Sequence, residues 1–137
     1  MKDFSKCILN IEIRPSNELV KHKIGPGTRY VLSDHNNNPD GKLYSIIRVV
    51  DNLNQPEAHV EPHSHDVDSF WIFEGEKNDL TGLEVEITLE GNIYSLVSPA
   101  SVYIPANIKH TYRFIKGSGR YINIVLTNGG RYNTSTK

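Results

Sequence analysis

The sequence predicts an all-β domain, either a sandwich or a small barrel, preceded by an N-terminal arm. From about residue 43 onward, apolar residues recur at a period of two or in short runs that are rich in Val, Ile, Tyr and Phe. Short turn sequences such as EGN at 90–92 separate these runs. The length of 137 residues suits one domain with a sizeable core.

The predicted strands follow one another along the chain with short connections. They cover residues 7–13, 43–50, 57–63, 69–74, 83–89, 93–97, 101–104, 110–115 and 121–126. The segment SNELVKHK at 16–23 predicts either a short helix or part of the arm. EGN at 90–92 and GSG at 117–119 each predict a tight hairpin, whereas SPA at 98–100 and IPAN at 104–107 predict short corners. We therefore divide the chain into an N-terminal arm and strand at 1–42, a barrel at 43–126 and a flexible tail at 127–137.

Composition excludes several classes of partner. Fifteen basic and sixteen acidic residues give a net charge of −1 without a basic run, so nucleic acid is not an expected partner. No apolar stretch is long enough to span a bilayer, and residues 1–15 lack a signal-peptide pattern, so we expect a cytoplasmic protein without a membrane partner. The single cysteine, Cys7, cannot form an internal disulfide, and we expect it to be a buried thiol.

Two histidines separated by one serine, His63 and His65, lie in the predicted strand region before an aromatic run. Residues two apart on a strand share a face, so both imidazoles can reach one point. His110 begins a later strand and can approach the same point from across a barrel. Such a set suits a divalent transition metal (Fe, Mn, Ni, Co, Cu or Zn). The alternative is that these are surface or core histidines, because paired histidines on a strand also arise by chance.

Two segments around these histidines resemble the two sequence motifs of the cupin superfamily. In HSHDVDSFWIFEG at 63–75, the first motif is matched by His63, His65 and Asp68, with six residues between Asp68 and Gly75. In PANIKHTYRF at 105–114, the second motif is matched by Pro105 and His110. The resemblance covers about residues 43–126.

The chain departs from the cupin motifs at several positions. Asp68 stands in place of the usual Glu after a shorter spacing, and Phe114 replaces an Asn. The leading glycine of the first motif is absent. Asn107 replaces a Gly, but Asn tolerates the left-handed backbone, so the turn can survive.

The resemblance implies a double-stranded β-helix, or jelly-roll barrel, with an inward-facing metal site. His63, His65 and His110 would be ligands and Asp68 a less certain fourth one. Cupins of this size commonly form homodimers, and the strand at 7–13 is a plausible exchanged edge.

Other residues are candidates for the surroundings of the site. Strand parity places Phe70, Ile72 and Glu74 on the face of Asp68, with Trp71 and Phe73 opposite, packed between sheets or at a dimer interface. Tyr112 shares the face of His110, and Tyr112 and Glu74 are the candidate proton-transfer residues. Candidates with a weaker basis are Arg48 (a substrate carboxylate or an outward position), His59 and Glu61 (support of a ligand imidazole), and His22 (solvent-exposed).

The leading functional hypothesis is a metal-dependent enzyme that acts on a polar small molecule by dioxygenase, isomerase or lyase chemistry. A second is a non-catalytic metal-binding or small-molecule-binding module. A third is a metal-free, sugar epimerase-like enzyme with a histidine base and a tyrosine acid. The sequence leaves these three open.

Overall fold

The computed structural model describes residues 2–54, 56 and 60–127. Eight antiparallel strands make up the fold, as the alternating apolar pattern predicts. They are β1 (Glu12–Ile13), β2 (Thr28–Ser33), β3 (Leu43–Leu53), β4 (Ser69–Gly75), β5 (Leu83–Leu89), β6 (Asn92–Val97), β7 (Ala100–Ile104) and β8 (His110–Leu126). Single turns of 3-10 helix at Ser5–Cys7 and Ser16–Glu18 complete the regular structure of the described residues. None of the helical segments in the described part of the chain is long and apolar enough to cross a membrane.

The strands form a β-barrel of the jelly-roll type, which confirms the predicted fold class. The sheet order is β1-β2-β3-β8-β4-β7, and β5 pairs with both β6 and β8. The EGN hairpin is confirmed, because Leu89 pairs with Asn92 across a two-residue turn. Both turn residues, Glu90 and Gly91, have positive φ, as such a turn requires.

The GSG segment at 117–119 is not the predicted hairpin. It lies inside the 17-residue strand β8, which runs without interruption from His110 to Leu126. The first part of β8 pairs with β5, and the second part lies between β3 and β4. Gly117 has a φ of 105°, and a Cβ there would lie 2.0 Å from the Gly82 carbonyl oxygen. The glycine therefore marks the point where the strand changes partners rather than a chain reversal.

The N-terminal region contributes more structure than the sequence predicts. Strand β2 was not predicted, yet it pairs with β3 over Thr28–Ser33. The predicted strand at 7–13 is reduced to the two residues of β1, and the predicted buried thiol of Cys7 is wrong because Cys7 is exposed. Of the predicted strand at 57–63, residues 57–59 lie outside the described residues, and the remainder holds isolated bridges at Val60 and His63. The predicted homodimer stays a prediction, and residues 128–137 of the predicted tail lie outside the described residues.

The core fills the barrel interior. Alternate residues of β4, β5 and β8 point inward, as the burial of these strands shows. The largest fully buried side chains are Phe73, Phe114, Leu83, Ile104, Val31, Val85 and Val125. Each buried side chain of this size contributes about 1.5–3 kcal/mol by leaving water. One end of this interior carries polar groups, and there the candidate site lies.

Candidate metal centre

Three histidines from two distant segments converge inside the barrel. The ring centroids of His63, His65 and His110 are 4.8, 4.8 and 5.0 Å apart. Each ring offers a nitrogen, and these nitrogens all lie within 4.8 Å of one another. All three side chains are buried, with 3–5% of their surface exposed. The arrangement is therefore placed to hold a metal ion.

Backbone pairing explains why the rings meet. His63 and His110 form an isolated antiparallel bridge, in which each amide donates to the other residue's carbonyl at 3.1 and 2.8 Å. His65 is held by its carbonyl oxygen, which accepts from the Asn107 amide at 2.6 Å. Asn107 has a φ of 68°, so the left-handed turn survives with Asn in place of Gly, as predicted. The loop before β8 thus fixes the distance between the two segments.

Two of the rings are oriented by carbonyl groups two residues upstream. The Nδ1 atom of His63 lies 2.6 Å from the Glu61 carbonyl oxygen, and that of His110 lies 2.8 Å from the Ile108 oxygen. Because a carbonyl only accepts, each Nδ1 carries the proton and each Nε2 keeps its lone pair. The Nε2 of His63 is buried and makes no hydrogen bond to the part of the chain that the structure describes. Glu61, predicted to support a ligand imidazole, does so through its backbone; His59 lies outside the described residues.

Burial keeps these imidazoles neutral. The pKa of His110 is lowered to about 4, mainly by desolvation, and the nearby His63 contributes to this lowering. Desolvation likewise lowers the pKa of His63, and Lys21 adds to this. Both rings are therefore unprotonated at neutral pH, which is the form that coordinates metals.

Asp68, predicted as a possible fourth ligand, does not join the cluster. A bend at 66–67 turns the chain so that Asp68 points to the exposed surface. Its carboxylate accepts hydrogen bonds from the Tyr103 hydroxyl and, at 2.7 Å, from the Ala106 amide. These bonds lower the pKa of Asp68, the Tyr103 bond most. Asp68 therefore fastens the loop before β8 instead of facing the histidines.

The residues of β4 alternate from Asp68 as predicted, and because Asp68 points to the surface, the face that it shares is the outer one. Trp71 and Phe73 are buried inside the barrel, whereas Phe70 and Glu74 lie on the outer face. The Trp71 ring meets the His110 ring edge-on, with centroids 5.4 Å apart. Glu74, predicted to transfer protons, lies with a carboxylate oxygen 3.5 Å from the Arg120 Nε at the surface. This placement separates Glu74 from the histidines.

A cavity adjoins His63 on the inner side of the barrel. Its volume is about 380 Å³ including its opening to solvent. Aromatic and polar residues line this cavity. Those with polar atoms include Ser16, His22, Arg29, Arg48, His63, Trp71, Tyr112 and Asn123. Tyr112 faces this cavity on the same side of β8 as His110, as predicted. The cavity gives a small molecule access to the face of His63.

Two arginines and one phenol set the electrostatics of the cavity. Arg48, for which the sequence left two orientations open, points inward and is 2% exposed. It is hydrogen-bonded to Tyr112, but burial outweighs this and raises the pKa of the phenol far above its usual value. Arg29 is also buried and is paired with Glu18 at 2.9 Å. The cavity thus contains a protonated phenol beside a fixed positive charge.

Comparison with known proteins reveals structural likeness without sequence likeness. No family model matches the chain, and no curated protein matches it significantly. KdgF from Halomonas sp. superposes with a TM-score of 0.51 at 18% identity, over 77% of this chain and 80% of that one. An RmlC-like cupin from Shewanella frigidimarina gives 0.51 at 17% identity, over 87% and 93%. The chain has the cupin fold.

Another similar structure is that of a larger protein, which this chain matches over only part of that protein's length. Oxalate decarboxylase from Bacillus subtilis, a protein with Mn(II) centres, gives a TM-score of 0.52 at 13% identity. The match covers 97% of the present cupin-fold chain but 31% of that protein. Identities this low relate the chains by fold, and they leave the activity to be argued from the site.

Several cavity residues of this cupin-fold chain were not predicted. His22, expected to be exposed, is half-buried, and its ring centroid lies 5.2 Å from that of His63. The sequence around His22 has no periodic pattern, so it could not predict that this residue lines the cavity. Asn123 is different, because it alternates with the buried Tyr121 and Val125. A polar residue at a core position of a strand is a usable sign of a site.

Proposed function

We propose that this protein is an enzyme that acts on a polar small molecule beside one divalent transition-metal ion. The ion would be held by His63, His65 and His110. The observation that carries the proposal is the convergence of three buried imidazoles whose ligand nitrogens lie within 4.8 Å of one another.

The donor set fits such an ion. The buried Nε2 of His63 has no hydrogen-bond partner among the residues described, and leaving a buried acceptor unsatisfied costs about 1–3 kcal/mol. Coordination removes that cost. Imidazole nitrogen suits Fe, Mn, Co, Ni, Cu and Zn. Mn(II) is a reasonable first choice because the fold neighbour from Bacillus subtilis has Mn(II) centres.

Three protein ligands favour a catalytic site over a structural one. Structural sites are usually closed by four protein ligands, whereas catalytic sites keep a position for water or substrate. Asp68 faces the surface, so the described residues around the histidines supply three nitrogens. When bound there, the ion would supply Lewis acidity to a substrate oxygen.

The chain's own residues would bind the substrate and provide a proton. Tyr112 is the proton donor of the proposal because it lines the cavity and its phenol is protonated at neutral pH; burial raises the pKa of the phenol, and the nearby Arg48 opposes this effect. Arg48, hydrogen-bonded to Tyr112, would orient it. Trp71 lies between His110 and Tyr112, with centroid distances of 5.4 and 5.3 Å, and its ring would keep bulk water from the reacting atoms. The outer position of Glu74 does not support the proton-transfer role predicted for it.

Metal analysis of untagged protein tests the first part of the proposal. Protein stripped with a chelator and dialysed separately against each of the six metals should retain close to one equivalent of at least one of them. His63→Ala and His110→Ala should retain less than a tenth of that amount. His35→Ala, which removes a histidine outside the cluster, is the matched control and should bind as wild type does. Absence of uptake, or equal uptake by the His110→Ala variant, would refute the proposed centre.

Turnover tests the second part. Metal-loaded protein should convert a member of a panel of small polar compounds, followed by NMR and by oxygen consumption. Oxygen consumption identifies the dioxygenase class, and its absence with turnover identifies an isomerase or lyase. Tyr112→Phe should lower kcat by about a hundredfold or more while metal content stays unchanged. Metal binding without turnover across the panel would favour the non-catalytic binding module.

A further inference from the structure

The guanidinium of Arg48 carries a buried charge that the chain satisfies with neutral groups. It donates to the Pro26 carbonyl at 2.6 Å and to the Ser16 hydroxyl at 3.0 Å, and it is hydrogen-bonded to Tyr112. Across residues 2–54, 56 and 60–127, no carboxylate lies within ion-pair distance of it. Buried charges in proteins are normally paired, because removing a lone charge from water is expensive. Arg48 therefore leaves a net positive charge facing the cavity.

Arg29 shows how this chain neutralises a buried arginine when no ligand is involved. Its guanidinium is 4% exposed in the same cavity wall. It pairs with the Glu18 carboxylate at 2.9 Å and donates to the Tyr44 hydroxyl at 2.8 Å. The contrast between the two arginines indicates that the charge of Arg48 is available to a negatively charged ligand.

Two further polar atoms in the cavity wall lack partners among the described residues. The indole nitrogen of Trp71 and the Oδ1 atom of Asn123 are buried and make no hydrogen bond within residues 2–54, 56 and 60–127. Their residues are 3% and 5% exposed, and they are cross-strand partners in the β4–β8 register. Both line the same cavity as Arg48 and His63. One wall thus presents an unused donor and an unused acceptor beside a fixed positive charge.

These groups together define the chemistry of a ligand. A guanidinium binds a carboxylate more strongly than it binds a neutral group, because its planar array of donors matches two carboxylate oxygens. An unpaired amide oxygen requires a donor, which a hydroxyl provides, and an indole N–H requires an acceptor oxygen. The 380 Å³ of empty space includes open solvent, so the enclosed part of the cavity is smaller and restricts the ligand to a molecule of a few non-hydrogen atoms.

We propose that the cavity binds a small hydroxycarboxylate, with the carboxylate on Arg48 and the hydroxyl group between Asn123 and Trp71. The ligand lies next to His63, so the inference rests on the proposed function and names the substrate class of that site. Arg48 is a binding residue in this assignment. The orphaned polar atoms of the cavity wall become satisfied when the ligand enters.

Isothermal titration of Mn(II)-loaded protein with glycolate, acetate and ethylene glycol tests the assignment. Glycolate should bind with one equivalent per chain, acetate about tenfold more weakly, and ethylene glycol at least a hundredfold more weakly. Equal affinity for glycolate and ethylene glycol would overturn the assignment. Absence of glycolate binding would also overturn it, since the cavity would then hold only water.

Two variants separate this binding mode from direct chelation of glycolate by the metal. Arg48→Lys keeps the charge but loses the planar array, and it should weaken glycolate by about tenfold or more at unchanged manganese content. Trp71→Phe keeps the ring and removes only the N–H, and it should weaken glycolate by several-fold; it decides the matter if Arg48→Lys does not fold. Arg113→Lys, at a surface pair with Glu86, is the matched control and should match wild type. Unchanged glycolate affinity in both cavity variants would refute the assignment.

The metal proposal can fail independently. If the protein retains no metal, glycolate binding to the metal-free protein that is lost in Arg48→Lys would still support the hydroxycarboxylate site. If the protein retains metal and the cavity variants bind glycolate as wild type does, the metal centre stands and the hydroxycarboxylate site falls.

Discussion

The two faces of β4 provide a stringent mutational test of the fold around the site. Phe73 is fully buried, and its ring stacks on Tyr121 at a centroid distance of 5.2 Å. Phe70, three residues earlier on the same strand, lies on the outer face and is 36% exposed. Replacing Phe73 by Ala removes a whole ring from a closed interior, which costs about 3–5 kcal/mol. Replacing Phe70 by Ala should cost about 1 kcal/mol.

The assay is thermal unfolding of metal-free protein, followed by circular dichroism. For a domain of 137 residues, 1 kcal/mol corresponds to roughly 3–4 °C in Tm, so Phe73→Ala should lower Tm by about 10–20 °C and Phe70→Ala by a few degrees. If Asp68 pointed inward, as a metal-ligand role requires, alternation along β4 would predict the opposite order. Equal destabilisation by the two substitutions, or the reverse order, would refute the inward orientation of Trp71 and Phe73 and with it the cavity wall.

Three further outcomes follow from the structure. Gly117→Ala should destabilise the protein by about 2 kcal/mol or more, because the backbone has a positive φ and the new Cβ would lie 2.0 Å from a carbonyl oxygen. Gly91→Ala has open space at its Cβ and should cost about 1 kcal/mol. Similar losses of stability for the two variants in thermal unfolding would contradict this. In metal-free protein, the pKa of His110 is about 4 in the folded state and near 6.5 in the unfolded state. The neutral ring therefore contributes to the free energy of unfolding above pH 6.5, and about 3 kcal/mol of that free energy should be lost as the pH falls toward 4. An unfolding free energy that does not change with pH would refute this. A metal ion at a hundred times its Kd should add about 2.7 kcal/mol, seen as a Tm rise of about 8–10 °C that His110→Ala abolishes.

Much of the fold could be predicted because its determinants are local. The period-two pattern identifies β4 to β7 to within a residue or two, and the EGN turn fixes one hairpin. The triad could be predicted because His63 and His65 share a face and the motif resemblance linked them to His110. In each case a short segment contains the physical cause.

The rest depended on where segments meet in three dimensions. Alternation along β4 was predicted correctly, with Phe70 on the face of Asp68 and Trp71 opposite, but the inward orientation that a metal-ligand role requires of Asp68 was wrong. Asp68 is instead held at the surface by Tyr103 and Ala106, residues more than thirty positions away. The glycines at 117–119 have the composition of a turn, but β8 continues through them and exchanges β5 for β3 and β4.

The N-terminal part of the site was hidden for the same reason. Ser16 and His22 reach the cavity because the segment before β2 folds back onto the barrel, and Arg29 reaches it from β2 itself. The Lys21 carbonyl accepts from the Glu61 amide at 2.9 Å, and His22 forms a bridge with Val60. Such pairing between residues about forty positions apart leaves no trace in local periodicity.

The most direct measurement of the central claim is a metal-edge anomalous difference map from crystals of the metal-loaded protein. We predict one peak per chain at coordination distance, about 2.0–2.2 Å, from a nitrogen of each of His63, His65 and His110. No peak should lie at Asp68, whose carboxylate remains bonded to Tyr103 and Ala106. A peak bound by fewer than all three histidines, or a map without a peak in the barrel, would contradict the proposed centre.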